Sequence, residues 1–120
     1  MAETEEDFKI LQKIFDMMDY AYPAIAQFPK SEKFGLALDI KRTMDKMLAL
    51  SIEARKKYYK KTTLQELDIA IAVLKAYIRL SFNLGFLPVK KYGIWSDKVV
   101  EIGKMLGGWM KTATQKPAST

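Results

Sequence analysis

Apolar residues recur at alternating steps of three and four along most of the chain, and this spacing constrains the fold more than any other feature. Such a period keeps one side of an α-helix apolar. Interruptions at proline, glycine and polar positions divide residues 8–111 into four helices, at about 8–27, 32–59, 64–85 and 89–110. Four long helices with short connections predict an all-α fold, an up-down-up-down four-helix bundle. No strand-like alternation competes with this pattern.

Local signals set the predicted helix boundaries and core faces. The core seam of the first helix is assigned to Phe8, Leu11, Phe15, Met18, Tyr22 and Ile25, and a second stripe beside it consists of Ile10, Ile14, Met17 and Ala21. Pro23 should kink or end this helix. Ser31 is the predicted N-cap of the second helix. Thr63 and Glu66 form a predicted capping box for the third helix, which Gly85 should terminate.

The net charge of +6 is unevenly distributed. Residues 1–7 hold four of the fourteen acids, whereas residues 8–120 hold all 20 Lys and Arg. We therefore expect an acidic, flexible leader at 1–7, a basic bundle at 8–111 and a flexible tail at 112–120. A basic body indicates a polyanionic partner, most simply nucleic acid. A lysine-rich surface that only maintains solubility is the alternative.

The composition argues against enzymatic chemistry. The chain has no cysteine and no histidine, so the commonest nucleophile, general base and metal ligands are missing. We expect no enzymatic activity, no bound metal and no cofactor. No apolar run reaches the roughly 18 residues that a membrane span needs, and the first residues lack the apolar core of a signal peptide. The expected location is the cytoplasm, with no membrane partner.

The helices have more apolar surface than one bundle core requires, which is about three positions in seven. Gly103 and Gly107 are four residues apart, so they lie on one helix face where another backbone could approach closely. We predict an oligomer interface formed by Tyr77, Val100, Gly103, Gly107 and Met110. A glycine pair that only frays the helix end is the alternative. Trp109 continues the apolar seam beyond the glycines and favours the interface.

Basic residues near tyrosines provide the candidate nucleic-acid site. The segment "RKKYYKK" places five cations and two tyrosines at residues 55–61, and its cations are Arg55, Lys56, Lys57, Lys60 and Lys61. Cations neutralise phosphates, and tyrosine rings stack on exposed bases. A favourable interaction of lysines with the helix dipole is the alternative explanation. Lys75 and Arg79 are four residues apart on the third helix and could bind one phosphate or carboxylate together.

Three segments, in this order, resemble a known family. They are "FPKSEKFGLALDIKR" (28–42), "LDIAIAVLKAYIRLSFNLGFL" (67–87) and "EIGKMLGGWMK" (101–111). Together they resemble the Avd accessory proteins of diversity-generating retroelements. They are more distantly similar to the four-helix-bundle proteins of ribosomal RNA intervening sequences. The Gly-Gly-Trp ending favours Avd.

The resemblance implies a homopentameric, positively charged barrel that binds nucleic acid and the retroelement reverse transcriptase. Such a subunit is non-catalytic and supports mutagenic cDNA synthesis from a template RNA, which diversifies a target gene. By motif position, the resemblance makes Arg42 and Arg79 the foremost binding residues, with Lys75 and the 55–61 cluster behind them. The alternative is an oligomer of the intervening-sequence type, a structural or protein-interaction module without a polymerase partner.

Overall fold

A computed structural model of the chain describes residues 5–115, with side chains for residues 8–113. Its four helices are Glu5–Ile25 (α1), Leu36–Lys56 (α2), Lys61–Asn83 (α3) and Val89–Gln115 (α4), and a short 3-10 helix spans Lys30–Glu32. None of the described residues forms a strand. The predicted all-α fold is confirmed. The predicted leader and tail lie outside the described residues at 1–4 and 116–120, whereas residues 5–7 and 112–115 are helical.

The helices pack in the cyclic order α1–α2–α3–α4, and α4 returns to contact α1. Within the described part of the chain, no Cα atom of α1 lies within 8 Å of one of α3, and the same is true of α2 and α4. Phe28, in the first connection, contacts Phe86, in the third, with 5.7 Å between ring centroids. These two connections therefore share one end of the bundle, as an up-down-up-down arrangement requires.

The core face of α1 differs from the predicted seam. Buried core positions are supplied by the stripe that the sequence placed beside the seam, namely Ile10, Ile14, Met17 and Ala21. Of the predicted seam, Leu11 and Ile25 are buried as expected, whereas Phe8, Phe15 and Tyr22 are 50%, 43% and 40% exposed. Both stripes satisfy a helical period, so the spacing alone does not distinguish them. The positions of α2 and α4 decide which stripe is covered.

The second helix begins at Leu36, four residues later than predicted. Ser31 is not its N-cap, because Ser31 lies within the 3-10 helix and Gly35 occupies the N-cap position. The Glu32 carboxylate instead accepts a hydrogen bond from the Leu36 backbone N–H at 3.1 Å. This bond satisfies one of the N–H groups that a helix start leaves free.

The third helix begins at Lys61, so Thr63 lies inside its first turn and the predicted capping box is wrong. Thr63 is buried, and its hydroxyl donates to the Glu53 carboxylate on α2 at 3.2 Å. Glu66 is exposed. Because Thr63 bonds to the preceding helix, it joins α2 to α3 rather than capping its own backbone.

The end of α3 agrees with the sequence signal. Gly85 has a positive φ of 80°, a conformation that glycine adopts without strain. The Gly85 N–H donates to Phe82 and the Phe86 N–H donates to Ser81, at 3.0 and 2.9 Å. These two bonds form a Schellman motif, the usual glycine-dependent end of a helix. Pro23 likewise lies two residues before the end of α1.

The fourth helix continues through all three of its C-terminal glycines, Gly103, Gly107 and Gly108, and reaches Gln115. Trp95 and Trp109 attach it to the core, at 0% and 8% exposure. The Trp95 indole N–H donates to the Met17 sulfur on α1 at 3.3 Å. Packing on both sides of the glycines therefore maintains a helix that glycine propensity disfavours.

Candidate nucleic-acid and subunit interfaces

The 55–61 cluster lies at the α2–α3 connection, where one of its lysines forms hydrogen bonds within the subunit. The Lys60 ammonium donates to the backbone carbonyls of Ala54, Arg55 and Lys57, at 3.5 Å for Arg55 and 2.6 Å for Lys57. These carbonyls belong to the last turn of α2 and to the residue that follows it. A cation there satisfies free carbonyls and opposes the negative end of the helix dipole. For Lys60, the helix-dipole alternative describes the geometry better than an open phosphate site.

Lys57 is also engaged within the subunit. Its ammonium lies 2.6 Å from the Glu53 carboxylate and donates to the Thr63 hydroxyl at 3.1 Å. The hydrogen bond and charge of Lys57 lower the pKa of Glu53 against a smaller opposing effect of burial, and the bond from Thr63 adds the smallest lowering effect. The ion pair of Lys57 and the hydrogen bonds of Lys57 and Lys60 thus stabilise the connection between α2 and α3.

The other members of the cluster form a more open surface. Lys56 and Lys61 are exposed and have no ion pair or side-chain hydrogen bond within the described residues. Tyr58 and Tyr59 are 59% and 77% exposed, and their rings meet edge to face at 4.7 Å. The half-buried Arg55 packs across the Phe8 ring of α1. Two cations and two tyrosine rings therefore remain accessible to a nucleic acid.

The two arginines at motif positions lie on different helices. Arg42 is exposed on α2 and makes no ion pair or side-chain hydrogen bond with any described residue. Arg79 is exposed on α3, and its Nε donates to the Asn83 side chain at 3.3 Å. Lys75, one turn before Arg79, lines a groove between α3 and α4. Arg79 and Lys75 share one flank of α3, because residues four apart lie on one helix face.

That groove, the α3–α4 groove, encloses about 250 Å³. Its lining residues are Asp68, Ile71, Ala72, Lys75, Val100, Gly103 and Lys104. Val100 is 41% exposed, and a Cβ built on Gly103 or Gly107 would meet nothing within 4 Å. The groove is therefore open to solvent in a single subunit, with an apolar floor and charged rims.

The predicted interface residues do not all share this surface. Val100 and Gly103 line the groove, and Gly107 follows one turn later on α4. Met110 is half-buried against the core. Tyr77 is also half-buried, and it lies two residues after Lys75, about 200° around α3. Tyr77 therefore points along the opposite flank of α3, away from the groove.

Exposed aromatic residues are the main feature that sequence reasoning missed. Phe34, beside the 3-10 helix, is 81% exposed and lies under the Lys33 ammonium, which is 5.5 Å from the ring centroid. On α1, Phe8, Phe15 and Tyr22 form an exposed line that we call the aromatic stripe. Its seven-residue spacing satisfies the same helical period as a core seam, so the sequence alone does not distinguish the two.

None of the helices in the described part of the chain is long and apolar enough to cross a membrane. In a comparison with known families, the family model described as bAvd-like matches residues 8–113, nearly the whole described region. None of the curated proteins compared with the chain matches it.

Proposed function

The chain belongs to the bAvd-like family, and on this premise we propose that it is a non-catalytic accessory subunit of a diversity-generating retroelement. In this role it binds the reverse transcriptase and the template RNA, and it supports the mutagenic cDNA synthesis that diversifies a target gene. The family match over residues 8–113 is the observation that carries the proposal. The polymerase chemistry belongs to the reverse transcriptase, and this chain supplies binding surfaces in the cytoplasm.

The accessible cations define where RNA would bind. Arg42, Arg79 and Lys75 are exposed, and so are Lys56 and Lys61 beside the two open tyrosines. Lys57 and Lys60 contribute positive charge to the same end, although their ammonium groups are bound within the subunit. Phosphate neutralisation by such residues makes binding sensitive to salt.

RNA binding is tested by measuring affinity for a single-stranded RNA across a salt series. A linear fall of log affinity with log salt is expected, with a slope set by the number of phosphates neutralised. Replacing Arg42 and Arg79 with alanine should weaken binding of RNA or of reverse transcriptase while the oligomer persists. The matched control is Lys13→Ala, since Lys13 is already paired with Glu101 on α4 at 3.3 Å.

The results separate the two functional classes. Co-purification of the subunit with a reverse transcriptase, together with salt-dependent RNA binding, supports the accessory role. An oligomer that binds neither would instead identify a structural module of the intervening-sequence type. If both associations survive loss of Arg42 and Arg79, the two arginines are not the binding residues.

Self-association, with five copies expected from the family, is the second part of the proposal. Its support is the open apolar surface of Val100, Gly103 and Gly107. Alanine at Gly107 meets no atom of its own subunit, so it should stabilise an isolated helix by up to about 1 kcal/mol. In a close-packed interface the same methyl group should shift the oligomer toward monomer.

Gly108→Ala is the matched control, because residue 108 lies about 100° further around α4 and its Cβ also meets nothing within 4 Å. We expect Gly108→Ala to raise the melting temperature and to leave the oligomer unchanged. Light scattering coupled to size exclusion distinguishes the two variants. A wild-type chain that is monomeric at micromolar concentration contradicts the assembly.

A further inference from the structure

The aromatic stripe of α1 is regular in spacing and in its partners. Phe8, Phe15 and Tyr22 are seven residues apart, which places them about 10.5 Å apart along the helix. The Arg55 guanidinium lies 5.8 Å from the Phe8 ring centroid, and the Lys41 ammonium lies 5.2 Å from that of Tyr22. Both cations belong to α2, so they hold two of the rings at the outer edge of the α1–α2 seam.

The pairing also defines the register of the two helices. Moving from Phe8 to Tyr22 on α1 advances 14 residues, and moving from Arg55 to Lys41 on α2 goes back 14. The same antiparallel register places Phe15 opposite the half-buried Leu48. The three rings lie in a line, each is 40–50% exposed, and two of them contact a cation of α2. The exposed apolar residues of an ordinary protein surface are instead scattered singly.

Acidic residues flank the stripe. Asp19 is exposed, and it lies four residues after Phe15 and three before Tyr22, so it shares their helix face. Asp45 on α2 is close enough to raise the pKa of Tyr22, second to the effect of burial. These carboxylates would repel a phosphate backbone. They make a nucleic acid a poor occupant, despite the two cations over the rings.

The α3–α4 groove lies on the opposite side of the bundle, because the helices pack in the cyclic order α1–α2–α3–α4. Its floor is apolar at Ile71, and its wall is open at Gly103, where no side chain fills the space. Its rim carries the cations Lys75 and Lys104 and one acid, Asp68. The groove therefore has the recess, the apolar floor and the positive rim that complement the stripe.

We propose that the aromatic stripe of one copy packs into the α3–α4 groove of the next copy. This inference rests on the self-association in the proposed function and names the two surfaces that meet. Asp19 and Asp45 would face the lysines of the groove rim, and Asp68 would face a cation of the stripe. In the assembled oligomer Lys75 therefore belongs to the subunit contact, and RNA binding rests on the other accessible cations, Arg42, Arg79, Lys56 and Lys61. Two different surfaces make a head-to-tail contact, which closes into a ring when successive rotations add up to a full turn.

The absence of cysteine allows a direct test with engineered thiols. Ile52, 41% exposed, lies four residues after Leu48 and beside the stripe, and Ile52→Cys leaves all three rings in place. Lys104→Cys places a thiol on the groove rim. The two variants carry tags of different size and are mixed after dissociation and reassembly. A short bis-maleimide is then added, and covalent dimers are separated by mass.

The head-to-tail contact predicts dimers between the two variants in the mixture and few dimers in either variant alone. Lys46→Cys, exposed on α2 about 120° around the helix from Ile52, is the control for random collisions. Dimers of the Ile52 variant with itself would indicate a symmetric contact and overturn the inference. An oligomer that yields no mixed dimer overturns the inference alone, whereas a monomeric wild type overturns it together with the proposed assembly.

Charge exchange provides a second readout that a folding defect would not reproduce. Asp19→Lys should shift the oligomer toward monomer, and adding Lys75→Asp or Lys104→Asp to the same chain should restore it. Circular dichroism checks that each variant remains helical. Failure of both combinations to restore assembly counts against the pairing. If Phe15→Asp abolishes RNA retention while the oligomer persists, the stripe is a nucleic-acid surface and the inference is wrong.

Discussion

Lys60 and Lys56 both belong to the basic cluster at 55–61, but the structure assigns them different tasks. The Lys60 ammonium donates to carbonyls at the end of α2, whereas Lys56 is exposed without an ion pair within the described residues. Replacing each lysine with methionine keeps the apolar stem and removes the charge. We expect Lys60→Met to lower stability and Lys56→Met to lower RNA affinity.

The size of the stability effect follows from the bonds that are lost. Hydrogen bonds to charged groups contribute about 1.5–3 kcal/mol, and a cation at a helix C-terminus adds about 0.3–1 kcal/mol. Lys60 is half-buried, so water replaces part of what is removed. We therefore expect Lys60→Met to reduce the free energy of unfolding by about 1–2 kcal/mol, which lowers the melting temperature by roughly 3–8 °C.

Two measurements on each variant test the assignment. Thermal unfolding followed by circular dichroism should show the loss for Lys60→Met and a change within about 0.5 kcal/mol for Lys56→Met. The slope of log affinity for single-stranded RNA against log salt should become shallower by about 0.7 for each phosphate contact removed. We expect this change for Lys56→Met and not for Lys60→Met. Equal melting temperatures, or a larger loss of RNA slope for Lys60→Met, would refute the division of roles.

Three further predictions concern single contacts. Met17→Leu leaves the buried Trp95 N–H without its sulfur acceptor, so denaturant unfolding should show about 1–3 kcal/mol more destabilisation than the control Met44→Leu, also fully buried. Gly85→Ala strains a residue at φ 80°, and its melting curve should show a loss of about 1–2 kcal/mol; an unchanged curve would contradict the Schellman end. The lowered pKa of Glu53 stabilises the fold above the ordinary pKa and is lost as the pH falls through the lowered value. Melting temperatures of wild type and Glu53→Gln should therefore differ at pH 7 and converge once the pH falls below the lowered pKa of Glu53.

The helices and their breaks were predictable from the sequence because they depend on nearby residues. Helical periodicity, a glycine at position 85 and a proline at 23 act within about one turn of the chain. The basic surplus and the unusual glycines of α4 were equally visible. The ordered motifs that resemble Avd agree with the bAvd-like match over residues 8–113.

The wrong N-cap at Ser31 has a local cause, the 3-10 helix before α2, whereas the wrong capping box concerns a residue whose role depends on another helix. The spacing of Thr63 and Glu66 predicts a helix cap, but the Thr63 hydroxyl donates its hydrogen bond to the Glu53 carboxylate on α2. Lys60 is predicted from its cluster as a phosphate ligand, and the chain reversal also brings it to the carbonyls of α2; its part in RNA binding stays a prediction. Neither partner is identifiable from spacing, because the loop geometry decides which groups meet.

Four amphipathic helices, a basic surface and an excess of apolar residues follow from the chain alone, since periodicity and composition are properties of the chain. The packing of the helices against one another is the reason that Ile14 is buried while Phe15 is exposed, and that Lys57 is paired while Lys56 is open. Helices α1 and α3 carry more than one apolar face, and burial goes to the face that the neighbouring helices cover. The faces left uncovered are the surfaces that a partner can use.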